Sequence, residues 1–289
     1  MKNIAVITNY NIAEKMNVAA RVLDAIKDRA ENILIPENYK EKIFRNLMHK
    51  TNFCYLPSSE IYEKADLAIV IGGDGSMLES ARLAAPAGVM VLGINMGRVG
   101  YMTELEPSEL SLIDKVFSGE YTVDERAMLS VKLLSPSGKV KFRAHALNEA
   151  VIANGAAARM VDLELYDGEE LVSNYRADGL VIATPTGSTA YSLSAGGPIV
   201  DPKLSCFCVT PVCPHSLAAR PLIFPDTAEL RVKNTCVREK VLHLTVDGRA
   251  TFEMYHGDVV VITKSDIKAR LLRLKDEGFC SKIRLTKLI

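Results

Sequence analysis

Residues 66–76 read DLAIVIGGDGS, an apolar strand feeding a glycine-rich turn that opens a helix. Glycines 72, 73 and 75 let a backbone approach a ligand closely and adopt φ > 0, as phosphate-cradling loops require. Asp74 sits among them, and a carboxylate beside phosphates is repelled by several negative charges at once. It must therefore serve something other than holding them. A strand, a glycine loop and a helix in that order place the loop at the carboxyl edge of a sheet, where α/β proteins bind ligands. Gly72, Gly73 and Ser76 are then candidate phosphate binders, with Ser76 in the first helical turn. The alternative reading is a tight turn in which Asp74 caps the helix.

A second dense stretch, ADGLVIATPTGSTAYSLSAGGPIV (177–200), carries six Ser or Thr hydroxyls between Thr184 and Ser194, with Tyr191, Gly187, Gly196 and Gly197. Such hydroxyls offer neutral donors to a pyrophosphate and acceptors to ribose hydroxyls. A third, ALNEAVI (146–152), puts Asn148 and Glu149 inside an otherwise apolar strand. Adjacent strand residues face opposite ways, so at least one points into a core unless a ligand or a bulge receives it. Cys206, Cys208, Cys213 and His215 supply four zinc-type side chains, but their C-x-C spacing departs from the usual knuckle. The competing expectation is a buried strand, CFCVT, with Cys206 and Cys208 on one face.

The elements that position these residues change character along the chain. A strand pattern at 3–8 and apolar strand patterns at 67–71 and 89–95 alternate with helical patterns, among them one near 39–50, one from Ser76 to Ala85, and PSELSLIDKVFSG. Strands without polar alternation imply a mostly parallel sheet covered on both faces. From about Tyr121 the pattern turns to period-two strands broken by DG turns, the mark of antiparallel hairpins. The expected organisation is an α/β domain over 1–120 carrying the GGDG loop and a β-rich domain over 121–268. The strand-like segment GFCSKIRLTKLI is expected to return to the first domain within 269–289. The 289 residues carry 35 basic and 35 acidic side chains, so no net field attracts nucleic acid or an acidic membrane. Short apolar runs exclude a signal core and a membrane span, which makes the expected setting the cytoplasm and the partner a small molecule. No G-x-x-x-x-G-K-[ST] loop and no G-x-G-x-x-G follows a strand.

GGDG, NMGRVGYMTE, ALNEAVIAN, ADGLVIATPTGSTAYSLSAGGPIV, PVCPHSLAARP and LTVDG, in that order and spacing, closely resemble the NAD kinases from about residue 66 to 265. The resemblance implies an α/β domain, a C-terminal antiparallel β-sandwich-like domain, and a cleft in which ATP phosphorylates the 2′-hydroxyl of the adenosine ribose of NAD. It implies that Asp74 is the proton acceptor and that Asn148 and Glu149 hold the ribose. By motif position it also implies that Gly75, Arg159, Arg176, Asp178, Thr189, Ala190, Tyr191, Ser192, Leu193 and Ser194 line the substrate site. Homodimers or homotetramers are implied as well. Arg249 follows VDG where the family commonly has Gln, and Ser76 keeps the hydroxyl of a frequent Thr.

That reading accounts for Asp74, because phosphoryl transfer relies on positioning and charge neutralisation, with a carboxylate orienting the attacking hydroxyl. Mg²⁺ or another divalent cation offsets the repulsion. No side-chain set in the sequence identifies a metal cage, which fits an ion held by nucleotide phosphates and water. A lipid or sphingoid kinase shares a GGDG loop but lacks the TPTGSTAYSLSAGGP and NE blocks. A non-catalytic dinucleotide sensor has no use for Asp74.

Overall fold

Apolar strands without alternation need cover on both faces, and the N-terminal third of the chain builds that cover from its own helices. The computed structural model describes residues 1–46, 52–155, 160–236 and 241–285. It divides into two units, Met1–Glu125 with Lys268–Ile289, and Arg126–Ile267. In the first unit, five parallel strands lie in the order Met90–Asn95, Leu67–Gly72, Asn3–Ile7, Asn32–Pro36, Phe53–Leu56. Residues 270–271 of the long strand Val259–Arg273 pair parallel to Met90 and Val91 at the outer edge. Every residue of Leu67–Gly72 is buried. Helix Ala13–Ile26 packs Met16, Ala19, Val22, Leu23 and Ile26 into the same core.

The strand order fixes where a ligand can enter. From Asn3–Ile7 the chain builds outward to Asn32–Pro36 and Phe53–Leu56, then crosses back to place Leu67–Gly72 on the other side. Connections therefore leave these two central strands in opposite directions and open a crevice at their carboxyl ends. The GGDG loop leaves one of them.

The second unit is a pair of antiparallel sheets. One has the order Leu222–Pro225, Cys206–Val212, Gly179–Ala183, Glu149–Asn154, Leu242–Val246, Ala250–Met254. The other runs from Glu170–Ala177 through Val161–Asp167 and Leu230–Asn234 to residues 259–262, and it also contains the hairpin of residues 129–134 with Val140–Ala146. Alternate residues of both, such as Leu230, Val232, Leu242, Leu244 and Ile152, share one core, as in a sandwich. The turn after Leu242–Val246 puts Asp247 (φ 48°) and Gly248 (φ 67°) in the left-handed region, the hairpin geometry that a DG pair favours.

Several expectations are corrected. The described part of GFCSKIRLTKLI is not a strand: Phe279–Leu285 is a helix, and residues 286–289 lie outside the described residues. Phe279 and Ile283 stand four apart, which puts both on one helical face, and Ile283 is buried. PSELSLIDKVFSG forms a 3₁₀ turn, Leu110–Ile113, running into a short helix, Asp114–Ser118, that Gly119 ends at φ 80°. The helix near 39–50 is Lys40–Asn46 after a 3₁₀ turn, Glu37–Tyr39, and its expected remainder lies outside the described residues.

Cys206 and Cys208 lie on one face of Cys206–Val212 among Val181, Ala183 and Val200. Burial raises the Cys206 thiol and pushes Cys208 up to about 12, opposing the thiolate that zinc requires. Native labelling with iodoacetamide should modify the exposed Cys213 and Cys280 quickly and spare Cys206, Cys208 and Cys236 until denaturant is added. Peptide mass mapping reads this, and rapid native labelling of Cys208 would show that the strand is misplaced.

Candidate active site

The first constellation grows from the end of Leu67–Gly72. Gly73 is the N-cap of helix Asp74–Ala84, no side chain caps that helix, and Asp74 is its first residue. Asp74 is therefore not the cap. Its carboxylate instead accepts the backbone N–H of Met102 at 2.8 Å on Oδ1 and that of Gly100 at 3.1 Å on Oδ2. The glycines serve close approach and not left-handed backbone, since none of Gly72, Gly73 and Gly75 has positive φ. A Cβ on Gly72 would lie 2.5 Å from Ser76 Oγ, and one on Gly97 would lie 2.8 Å from the Gly73 Cα. Gly75 has no neighbour within 4 Å of such an atom and leaves the helix N-terminus open.

Beside this loop, at the carboxyl ends of the two central strands, is a cavity of about 350 Å³ lined by Thr8, Asn9, Lys15, Tyr39, Ser76 and Glu79 among others. Gly100 and Met102 belong to a block that stood out in the sequence, but not as holders of Asp74. Their contribution is made by main-chain atoms, which leave no side-chain signature.

The second constellation, in the other unit, centres on Asp247. This residue is buried, and its carboxylate accepts three successive backbone N–H groups, those of Leu147 (2.9 Å), Asn148 (2.8 Å) and Glu149 (3.1 Å). On the other side, Thr184 Oγ1 donates to the Leu147 carbonyl at 2.6 Å and the Thr184 N–H to that of Asn148 at 2.9 Å. Gly187 packs so closely that a Cβ would sit 2.1 Å from the Asn148 carbonyl oxygen. The turn carrying Asn148 and Glu149 is thus held on both sides.

What it presents is two acceptors without partners: Asn148 Oδ1 and Glu149 Oε2 are both buried and make no hydrogen bond. Burial, reinforced by the Asp247 charge and opposed by the Tyr191 N–H, pushes the Glu149 carboxyl up to about 7. Two buried oxygens that lack donors are suited to a ligand bearing hydroxyls.

The remaining expected residues are placed variously. Arg176, Asp178, Tyr191 and Ser194 are exposed, while Thr189, Ala190 and Leu193 are partly buried. Ser192 is buried, and its hydroxyl is shared with Thr210 at 3.0 Å. Ser188 bonds the Pro185 carbonyl, Thr189 that of Thr186, and Thr186 accepts from Arg126. Most of the hydroxyls that looked like ligand donors are thus used inside the fold. Arg249 is exposed, and Arg159 lies outside the described residues. Among the described residues no group of three or more His, Cys, Asp or Glu is placed to hold a metal ion.

Known proteins extend the comparison over the whole chain. Residues 4–121 match the ATP-NAD kinase N-terminal domain, and residues 147–274 match the ATP-NAD kinase C-terminal domain. The chain belongs to the NAD kinase family. It is 38% identical to the NAD kinase of Heliobacterium modesticaldum, over 96% of each chain. It is 42% identical to that of Carboxydothermus hydrogenoformans, over 77% of this chain and 79% of the other. A crystal structure of an NAD kinase from Archaeoglobus fulgidus in complex with ATP is similar with a TM-score of 0.73 and 25% identity, covering all of both chains. Yeast NADH kinase complexed with NADH shares the fold at a TM-score of 0.90, with 24% identity over 98% of this chain and 86% of that one. Within the family's fold, Asp74 and the Asn148–Glu149 pair each occupy a built environment.

The Glu149 environment has a measurable cost. Its folded value near 7 lies above the ordinary 4.5, so the native state keeps a proton that the unfolded chain releases. Stability contributed by the protonated form is full below 4.5 and is lost as pH rises through 7. Glu149→Gln should therefore stabilise the ligand-free protein by up to about 3 kcal/mol near pH 8, with the gain vanishing below about pH 4.5. Urea unfolding at both pH values checks this, and an equal effect at both would show that the carboxyl is not perturbed.

Proposed function

We propose that this protein transfers the terminal phosphoryl group of ATP to the 2′-hydroxyl of the adenosine ribose of NAD, forming NADP. The observation that carries the proposal is the Asp74 carboxylate, fixed by two backbone N–H groups at an uncapped helix N-terminus in a chain that matches both domains of the family. Each Asp74 oxygen accepts one N–H and keeps a further lone pair for the attacking hydroxyl. Asp74 orients that hydroxyl and takes its proton as the oxygen bonds to the terminal phosphorus, whose bond to the bridging oxygen breaks to release ADP. The open helix N-terminus at Gly75 turns donors toward the phosphates, and the adjoining cavity at the switch point receives ATP. The Archaeoglobus protein, solved in complex with ATP, supports ATP as the phosphoryl donor.

Asn148 Oδ1 and Glu149 Oε2 accept the ribose hydroxyls of NAD, which removes the two orphaned acceptors. The exposed Arg176, Asp178 and Tyr191, with Thr189 to Ser194 and Arg159, are assigned to the rest of the dinucleotide. Ser192 takes part through its backbone, since its hydroxyl is committed to Thr210. A divalent cation such as Mg²⁺ supplies neutralisation of the phosphate charge. The residues present fit an ion held chiefly by phosphates and water, because the loop offers a single carboxylate.

The family resemblance further supports a homodimer or homotetramer, and the exposed Leu204, Leu217 and Ile223 supply apolar surface in the second unit for such contacts. A cytoplasmic setting fits an enzyme of these substrates. Among the described residues no helix is long and apolar enough to cross a membrane.

Purified protein with Mg-ATP and NAD should give NADP, and a chelator should abolish it. Phosphorylation of sphingosine with NAD untouched would overturn the reading, and tight NAD binding without turnover would mark a sensor. Asp74→Asn keeps the side chain's size and removes the base, so kcat should fall by roughly 10²–10⁴-fold with little change in the KM for NAD. Glu149→Gln should act mainly on that KM. Steady-state kinetics separate the two, and a near-normal kcat for Asp74→Asn would end the assignment of Asp74 as base.

A further inference from the structure

Asp74 depends on its grip by Gly100 and Met102, and that stretch of loop is itself held by the end of the chain. Arg273 is buried, and its guanidinium uses all three nitrogens. Nη1 donates to the carbonyl oxygens of Met102 at 3.3 Å and Thr103 at 3.4 Å, and to Glu104 Oε2 at 3.1 Å. Nε and Nη2 both donate to Asp124 Oδ2, at 3.1 and 3.0 Å. Glu104 is equally committed: Oε1 accepts the backbone N–H groups of Leu274 (2.9 Å) and Lys275 (2.8 Å), and Oε2 accepts Arg273 and Lys282 Nζ (3.3 Å). Every one of these residues belongs to the same unit as Asp74.

We propose that Arg273 and Glu104 are positioning residues for the transfer reaction, acting through the main chain of Met102, whose N–H holds Asp74 while its carbonyl is held by Arg273. The network lies behind the loop and touches no reacting atom. Two features argue for a positioning role beyond mere cohesion. The planar guanidinium meets two carbonyls, a glutamate and an aspartate from one side chain, a pattern that lysine's single ammonium cannot reproduce. The loop is also pinned at its other end, where Gly100 at φ 73° packs so that a Cβ would lie 2.6 Å from Asn95 Nδ2, and Thr103 Oγ1 donates to the Gly100 carbonyl. With both ends fixed, a shift of the Met102 carbonyl is passed to the Met102 N–H and so to Asp74.

The inference rests on Asp74 being the base, and a double-mutant cycle keeps the two apart. Arg273→Lys keeps the charge and loses the fork, so kcat per folded molecule should fall by about 10- to 100-fold, as misplacement of a catalytic group by about 1 Å does. The KM values for ATP and NAD should stay within about twofold. In an Asp74→Asn background, the same substitution should cause no further loss, because the group it positions is already gone. Glu104→Gln should repeat the pattern and carries the test if Arg273→Lys does not fold. Equal fold-losses with and without Asp74, or a kcat loss that merely tracks the folded fraction by circular dichroism, would overturn the inference. A near-normal kcat for Asp74→Asn alone would instead overturn the base assignment.

Discussion

The first unit is organised around one carboxylate held by main-chain amides. Asp74 stands at a helix N-terminus, where a negative charge is favoured by the helix dipole, and two N–H donors from a separate loop fix its direction. A carboxylate on an exposed loop samples several rotamers; one that accepts two opposed amide bonds has a single orientation. The close packing of Gly73 on Gly97 brings the two loops near enough for those bonds to form. The left-handed Gly100 turns its N–H toward Asp74. Strand order, glycine placement and the buried ion pairs behind the loop all serve that geometry.

The second unit uses the same device for a different end. Asp247 accepts three backbone N–H groups, and beside it Asn148 Oδ1 and Glu149 Oε2 are left without hydrogen bonds. An orphaned buried acceptor is normally destabilising, and here it is tolerated because the turn that carries it cannot relax. The elevated Glu149 carboxyl is the electrostatic trace of that arrangement. In both units an acid is buttressed by backbone amides, which do not titrate.

Much of this was legible in the sequence wherever the signal is local. Apolar strands announced the parallel sheet, and DG turns announced the hairpins, because each depends on residues a few positions apart. Asp74, Asn148 and Glu149 stood out as polar groups in places that favour none. Asp247 did not stand out, since its three partners lie 98 to 100 positions away in the chain. Arg273 and Glu104 were invisible for the same reason, being 169 positions apart. A serine carries no mark of its partner, so the sequence alone offers all the hydroxyls of 184–194 to a ligand. The structure shows Ser188 and Ser192 turned inward. The terminal helix was missed because a short segment with alternating basic residues fits either period.

The return of residues 268–285 to the first unit also bears on how the molecule is made. A ribosome releases Glu104 and the whole five-stranded sheet long before Arg273, and the entire sandwich of the second unit lies between them. Until residues 270–275 emerge, Glu104 has neither Arg273 nor the Leu274 and Lys275 amides, and strand Met90–Asn95 lacks its partner at 270–271. An interior carboxylate without its counter-charge opposes collapse around it. The loop that holds Asp74 therefore gains its full set of contacts only once residues 273–275 have joined the first unit.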